Sequence, residues 1–250
     1  MLTTPEERSI SDERDALFQR ELLAPEILLD NARVASTFVI FGSARTPPID
    51  SLLIVKDRRS PYEEARALAR LASASPPDED GRRQFVVCSG AGPSIMEAAN
   101  RGAADVGSAS IGLGVAVPWE DGPNPFVTPE LTFQFENFPL RKLHFVLRAR
   151  AIAVFPGGFG TLDELFEVLT LIQTGRIPII PIVLFDANFW RNAVGWETLV
   201  ERGMIDRRDL NLIRFVSSAE EAWDAVQSYY AATAEPIWHR SAASDPASEA

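Results

Sequence analysis

Six short apolar runs, set apart by segments of helical period, constrain this 250-residue chain more than any other feature. They are STFVIFGSA (36–44), QFVVCSG (84–90), SIGLGVAV (110–117), LTFQFEN (131–137), AIAVFPGG (151–158) and IPIIPIVLFD (177–186). LTFQFEN alternates in polarity, while the others read as continuous apolar strands. A strand that is apolar on both faces needs cover on both, the situation of a parallel sheet between helices. The intervening segments supply the cover: YEEARALARLASA (62–74), with Ala65, Leu68 and Leu71 apolar; SIMEAANRGAADVG (94–107), closed by Gly107; FPLRKLHFVLRAR (138–150); TLDELFEVLTLIQTG (161–175); and two more around 188–203 and 218–233. The expected fold is α/β: a single-domain, Rossmann-like doubly wound parallel sheet with helices on both faces, over residues 35–234. Residues 1–34 read as an irregular helical lead-in in which Phe18, Leu22 and Leu23 share a face. Residues 235–250 are too poor in apolar side chains to be expected to order.

Composition narrows the function. A net charge of −11 argues against a general nucleic-acid binder. No apolar run is long enough to span a bilayer, and the acidic start MLTTPEERSISDERD is neither signal nor transit peptide, so a cytoplasmic protein without a membrane partner is expected. The single cysteine, Cys88, excludes an intramolecular disulfide, and His144 and His239 have no ligand-like spacing with it. No metal is therefore expected.

Three strands end in small residues: FGSA, CSGAGPS and FPGGFGT. In a doubly wound sheet all three open on the edge where ligands bind. The second and third lead straight into helices, so each presents unpaired backbone N–H groups at a helix start, where the dipole favours an anion, most often a phosphate. Glycine there permits close approach and positive φ. Neither turn carries a Walker Gly-Lys-Ser/Thr ending or the dinucleotide fingerprint. Thr161–Glu164 and Ser94–Glu97 both have capping-box spacing, and from spacing alone the cap is the favoured role of both glutamates.

PGGFGTLDE, the pair Arg141-Lys142 upstream of it, SGAGPSIMEAANRGA and FGSAR together resemble the LONELY GUY (LOG) phosphoribohydrolases, a family often mislabelled lysine decarboxylase. The similarity runs from about residue 36 to 230, and GPNPF and ELFEVLTLIQTGRIP are similar to the longer bacterial members. What the resemblance implies is cleavage of the N-glycosidic bond of nucleoside 5′-monophosphates, cytokinin riboside monophosphates or AMP, to free base and ribose 5-phosphate. It implies no cofactor, a small-molecule nucleotide partner, and a homodimer or a multiple of dimers. It assigns catalysis to Arg141 and Glu164. Phosphate and ribose contacts are expected from Gly157, Gly158, Gly160, Thr161, Gly90, Gly92, Ser43, Glu97 and Lys142. Many members have Gly-Gly-Gly-Pro-Gly where this chain has Gly90-Ala91-Gly92-Pro93-Ser94.

Without the resemblance, Arg141 and Lys142 read as solvated or ion-paired charges, and Asp163 as a first-turn dipole partner. Glu97 contacts ribose, a second subunit, or only a cap. Cys88 reads as inert core, His144 as structural, and Trp190, Trp196 and Trp223 as packing or interface residues. Arg148 and Arg150 line either the site or the surface. A non-catalytic nucleotide or molybdenum-cofactor carrier is the alternative on the same fold.

Overall fold

The computed structural model describes residues 5–46, 59–115 and 122–233. The chain forms α1 (Pro5–Asn31), β1 (Thr37–Phe41), α2 (Pro61–Ser73), β2 (Val86–Ser89), α3 (Ile95–Asp105), β3 (Ile111–Val115), β4 (Thr132–Phe135), α4 (Phe138–Leu147), β5 (Ala149–Val154), α5 (Phe159–Gln173), β6 (Ile182–Phe185), α6 (Ala187–Ala193), α7 (Trp196–Glu201), β7 (Ile213–Val216) and α8 (Ala219–Thr233). The seven strands make one sheet in the order β4-β3-β2-β1-β5-β6-β7, and every pairing is parallel. This is the expected doubly wound α/β domain. The chain winds outward from β1 to β4 and then returns beside β1 as β5. The strand order therefore reverses between β1 and β5, and a crevice opens at their carboxyl ends.

Alternation along β1 divides the core. Phe38 and Ile40 face α2, α3 and α8, while Val39 and Phe41 face α4 and α5. All four are buried, as a central strand between two helical layers requires. Trp190 and Trp196 are buried in the second layer, and in the first Trp223 stacks on Phe38 and meets Phe85 edge-on.

Several boundaries differ from the sequence reading. The run 177–186 is a strand only over Ile182–Phe185, because Pro178 and Pro181 have no N–H to give the ladder. The expected helix 138–150 stops at Leu147, and residues from Ala149 onward belong to β5. The segment 188–203 is two helices separated at Val194-Gly195. β7 escapes notice in the sequence because IRFV is an edge strand with only Val216 buried.

The largest departure is the N-terminal segment, which is one continuous 27-residue helix with Pro25 in its interior. Phe18, Leu22 and Leu23 do share a face, but they are exposed. The buried stripe is Glu21, Pro25 and Leu29, one residue per turn. Polar contacts explain the inversion. The Glu21 carboxylate accepts the N–H of Glu136 at 2.7 Å, that of Asn137 at 3.3 Å and the Asn137 side-chain amide at 2.8 Å, just where the chain enters α4. About two turns on, His144 Nε2 donates to the Glu21 carbonyl at 2.8 Å. At the far end of α4, Arg148 reaches Glu26 at 2.8 Å and Asp30 at 2.9 Å. Burial alone would raise the Glu26 carboxyl, but its bonds to His144 and Arg148 outweigh that and hold it at about 2. α1 is thus bolted along the whole of α4. His144 is structural, as expected, and Arg148 lines neither the site nor the open surface.

Replacing Glu21 by alanine leaves three partly buried donors without an acceptor. Glu21→Ala is expected to lower unfolding free energy by about 2 kcal/mol in urea titration. An unchanged midpoint would mean that α1 holds α4 without this carboxylate.

Candidate active site

The three small-residue turns meet where β2, β1 and β5 end side by side. The β1 and β5 ends are stitched together: Phe155 N–H donates to the Phe41 carbonyl at 2.9 Å and Ser43 N–H to the Pro156 carbonyl at 3.2 Å. The Ser43 hydroxyl accepts the Arg45 N–H at 2.9 Å. Ser94 Oγ donates to the Thr46 carbonyl at 2.6 Å, tying the turn after β2 to the loop after β1.

The turn after β5 feeds α5. Its first helical bond runs from Leu162 N–H to the Gly158 carbonyl at 3.0 Å. The N–H groups of Phe159, Gly160 and Thr161 therefore lie ahead of any intrahelical acceptor and face the crevice end of the helix. Thr161 is buried and folds back over Gly157. A Cβ on Gly157 would collide with the Thr161 hydroxyl and methine, so glycine is required there for space. Gly158 and Gly160 border open space.

Neither turn uses glycine for positive φ. In the turn after β2 the left-handed positions are Ala91, φ 62°, and Ser94, φ 64° with ψ −117°. These are the two positions at which the chain departs from the glycine-rich pattern. Each stores about 1 kcal/mol of backbone strain. Gly90 has a steric reason: a Cβ there would lie 2.7 Å from Arg141 Nη2 and 2.7 Å from Met96 Sδ.

Arg141, on α4, thus lies directly over the second turn. It is 8% exposed. Its Nε donates to the Leu113 carbonyl on β3 at 2.7 Å, and its guanidinium sits 5.1 Å from the centre of the Phe145 ring. Its Nη1 comes within 3.5 Å of Glu164 Oε1 on α5. Glu164 is nearly enclosed as well. Burial pushes its carboxyl from the ordinary 4.5 up to about 7, against the pull of Arg141.

The capping boxes are absent. α5 begins two residues before Thr161 and its N-cap is Gly158, so Thr161 is not in the capping position and Glu164 lies beyond the reach of the box. Ser94 is the N-cap of α3, but its strained backbone turns the hydroxyl to Thr46, and Glu97 instead accepts the Tyr62 hydroxyl at 2.8 Å. Asp163 is the ion-pair partner of Lys142, at 3.1 Å, rather than a lone first-turn charge.

The fold therefore brings Ser43, Gly90, Gly92, Gly157, Gly158, Gly160, Thr161, Arg141 and Glu164 around one crevice. Glu97 and Lys142 have partners of their own: Tyr62 for the first, Asp163 and Glu167 for the second. One participant that sequence reading missed is the Leu113 carbonyl, which aims Arg141; a main-chain acceptor leaves no residue signature. Burial raises the Cys88 thiol, consistent with inert core. Among the described residues, no three His, Cys, Asp or Glu side chains cluster as metal ligands, and no helix is long and apolar enough to cross a membrane.

A family model described as possible lysine decarboxylase matches residues 96–226, 131 of the chain's 250. The chain is 33% identical over 115 residues to a pyrimidine/purine nucleotide 5′-monophosphate nucleosidase of Escherichia coli (strain K12), covering 42% of this chain and 25% of that protein. It is 28% identical over 116 residues to a protein of Oryza sativa subsp. japonica named "Probable cytokinin riboside 5′-monophosphate phosphoribohydrolase", covering 43% of this chain and 54% of the other. The match thus spans a quarter to about half the length of these relatives. Among solved structures, the molybdenum cofactor binding protein of Rippkaea orientalis superposes with a TM-score of 0.50 at 17% identity, over 78% of this chain and 96% of that one, a likeness of fold.

The raised Glu164 carboxyl has a stability consequence. Burial penalises the ionised form, so the contribution of this group is full below its unfolded value of 4.5 and is lost as pH rises through about 7. Glu164→Gln removes the ionisation. It is expected to unfold later than wild type at pH 8, by up to about 3 kcal/mol, with the gap closing toward pH 4.5. Equal denaturation midpoints at pH 8 would contradict the raised carboxyl.

Proposed function

The chain belongs to the LOG family, whose model is described as possible lysine decarboxylase, and from that premise we propose that it hydrolyses the N-glycosidic bond of a nucleoside 5′-monophosphate. The observation that carries the reading is the Arg141–Glu164 pair, 3.5 Å apart in a mostly buried setting beside the open start of α5. The phosphate occupies the N–H groups from Gly157 to Thr161, where the helix start favours an anion. Arg141 holds the ribose or the phosphate and is itself kept rigid by Leu113 and Phe145. Glu164 lies toward the sugar. As the carbon–nitrogen bond breaks, its electron pair leaves on the base and positive charge develops on the anomeric carbon and ring oxygen. The Glu164 carboxylate stabilises that charge and orients water, whose oxygen bonds to the anomeric carbon. The water yields a proton and the departing base gains one, so one water is added across the bond with no net proton gained or lost and the phosphate charge unchanged.

AMP or its isopentenyl derivative is the proposed substrate. Both relatives above carry names that refer to 5′-monophosphates. The decarboxylase description fits these residues poorly. A pyridoxal-phosphate lysine needs a readily lost proton. Burial would lower the Lys142 ammonium, but its bonds to Asp163 and Glu167 outweigh that and raise it above 10.5. A purely carrying role has no use for a buried Arg–Glu pair. A homodimer is proposed as the working assembly, since α4 exposes Phe138, Leu143 and Leu147 beside the site. The single cysteine, buried and unpaired, suits the cytoplasm.

Base release measured on a panel of monophosphates and their nucleosides tests the reading. AMP or isopentenyl-AMP is expected to be cleaved and adenosine hardly at all; equal rates would remove the phosphate role of the Gly157–Thr161 turn. Glu164→Gln is expected to lower kcat by about a hundredfold or more while monophosphate binding persists. In the wild type, kcat is expected to fall as pH drops below about 7, where Glu164 takes up its proton. Light scattering that found only monomer at micromolar concentration would remove the dimer.

A further inference from the structure

The strained turn after β2 is enclosed by a ring of buried polar side chains. Ala91 N–H donates to Ser89 Oγ at 3.1 Å, and Ser89 Oγ donates to Asn100 Oδ1 at 2.8 Å. Asn100 Oδ1 also accepts from Asn124 Nδ2 at 2.9 Å. The same Nδ2 reaches the carbonyls of Ala91 at 3.0 Å and Gly92 at 3.1 Å, which closes the ring. Asn124 grips with its main chain too: its N–H donates to the Ala91 carbonyl at 2.8 Å, and its Oδ1 accepts the Phe126 N–H at 3.2 Å. Asn100 is anchored from behind, donating to Ser110 Oγ at 3.0 Å. Ser89 and Asn100 are fully buried, and Asn124 is 8% exposed.

Four polar residues in a core are costly unless every group is satisfied, and a sheet edge needs no such ring merely to fold. What this ring encloses is one segment, Gly90 to Gly92, whose Ala91 has φ 62° without glycine's freedom. An L-residue keeps that conformation only where its surroundings hold it. Asn124 grips the carbonyl on one side of the strained residue and, through Asn100 and Ser89, its N–H on the other. Gly90, next in the turn, lies beneath the Arg141 guanidinium.

We infer that Asn124 is a positioning residue, the clasp that holds the Gly90–Gly92 turn in its nucleotide-receiving shape. This rests on the proposed nucleosidase reading, in which that turn contacts the substrate. It also explains how Ala91 can stand where glycine is usual: hydrogen bonds supply the conformation that glycine would have permitted. Asn124 acts on the substrate only through the turn, so its removal weakens binding of ground state and transition state alike.

The test is Asn124→Ala, with Ser89→Ala opening the same ring from the opposite side. Both are first checked for a cooperative thermal transition above the assay temperature. Asn124→Ala is expected to raise KM for AMP by about tenfold or more while kcat stays within about threefold, and Ser89→Ala to move KM the same way by less. Amide exchange reads the clasp without any ligand. The N–H groups of Ala91, position 124 and Phe126 are expected to exchange at least about tenfold faster in Asn124→Ala, with β1 and β5 unchanged. Unchanged KM and unchanged exchange at these amides would overturn the inference. So would exchange that quickens uniformly across the sheet, or a loss confined to kcat. If wild-type protein releases base from no monophosphate, the nucleosidase reading fails, and exchange at the three amides decides the clasp.

Discussion

The whole crevice is organised around one buried cation. A guanidinium at 8% exposure must find partners in several directions, and Arg141 finds them on separate elements of the fold: the Leu113 carbonyl of β3, the Glu164 carboxylate of α5 and the ring of Phe145 on its own helix. It lies so close over the turn after β2 that residue 90 has no room for a side chain. Four pieces of chain distant in sequence are thereby fixed relative to one another at the edge where the strand order reverses. The interaction is also lopsided. The single contact to Glu164, at 3.5 Å, does not offset the desolvation of that carboxylate, and its carboxyl stays up at about 7. Folding tolerates a destabilised acid here, a departure from local optimisation of the kind found at functional sites.

A site built on one arginine depends on the helix that carries it. α4 is held from outside by α1, through Glu21 where the chain enters it, His144 in its middle and Arg148 at its end. This ordering is electrostatic and hydrogen-bonded rather than apolar, so α1 contributes to the site's rigidity without adding a residue to it. The matched region, residues 96–226, includes α4 but not α1.

Both positions where this chain lacks the usual glycine carry backbone strain, as do Arg33, Phe85 and Asp186 elsewhere in the fold. Ala91 and Ser94 keep left-handed backbones, and each is held by a bond that a glycine turn would not need: the Asn124 clasp for one, the bond from Ser94 Oγ to the Thr46 carbonyl for the other. Hydrogen bonds to the two residues hold the backbone that glycine would adopt without them.

Patterns carried by side-chain period and local chemistry were legible in the sequence alone. Continuous apolar strands implied a parallel sheet covered on both faces, and small residues at three strand ends implied one shared edge, because both are consequences of burial and of backbone geometry within a few residues. Arg141 and Glu164 were legible as candidates through the resemblance, though not as neighbours. What only the tertiary structure decided were matters of partners. The Thr161–Glu164 and Ser94–Glu97 spacings have the form of capping boxes, yet α5 begins at Phe159 and Ser94 turns to Thr46, because helix starts are set by where the preceding strand delivers the chain. α1 hides Glu21 and exposes Leu22 and Leu23, against its hydropathy, because a carboxylate that accepts three hydrogen bonds is better buried than a leucine is at that spot. The raised Glu164 carboxyl and the ring around Ala91 belong to the same class. Burial and hydrogen-bond closure are properties of groups brought together from distant positions, and no local pattern encodes them.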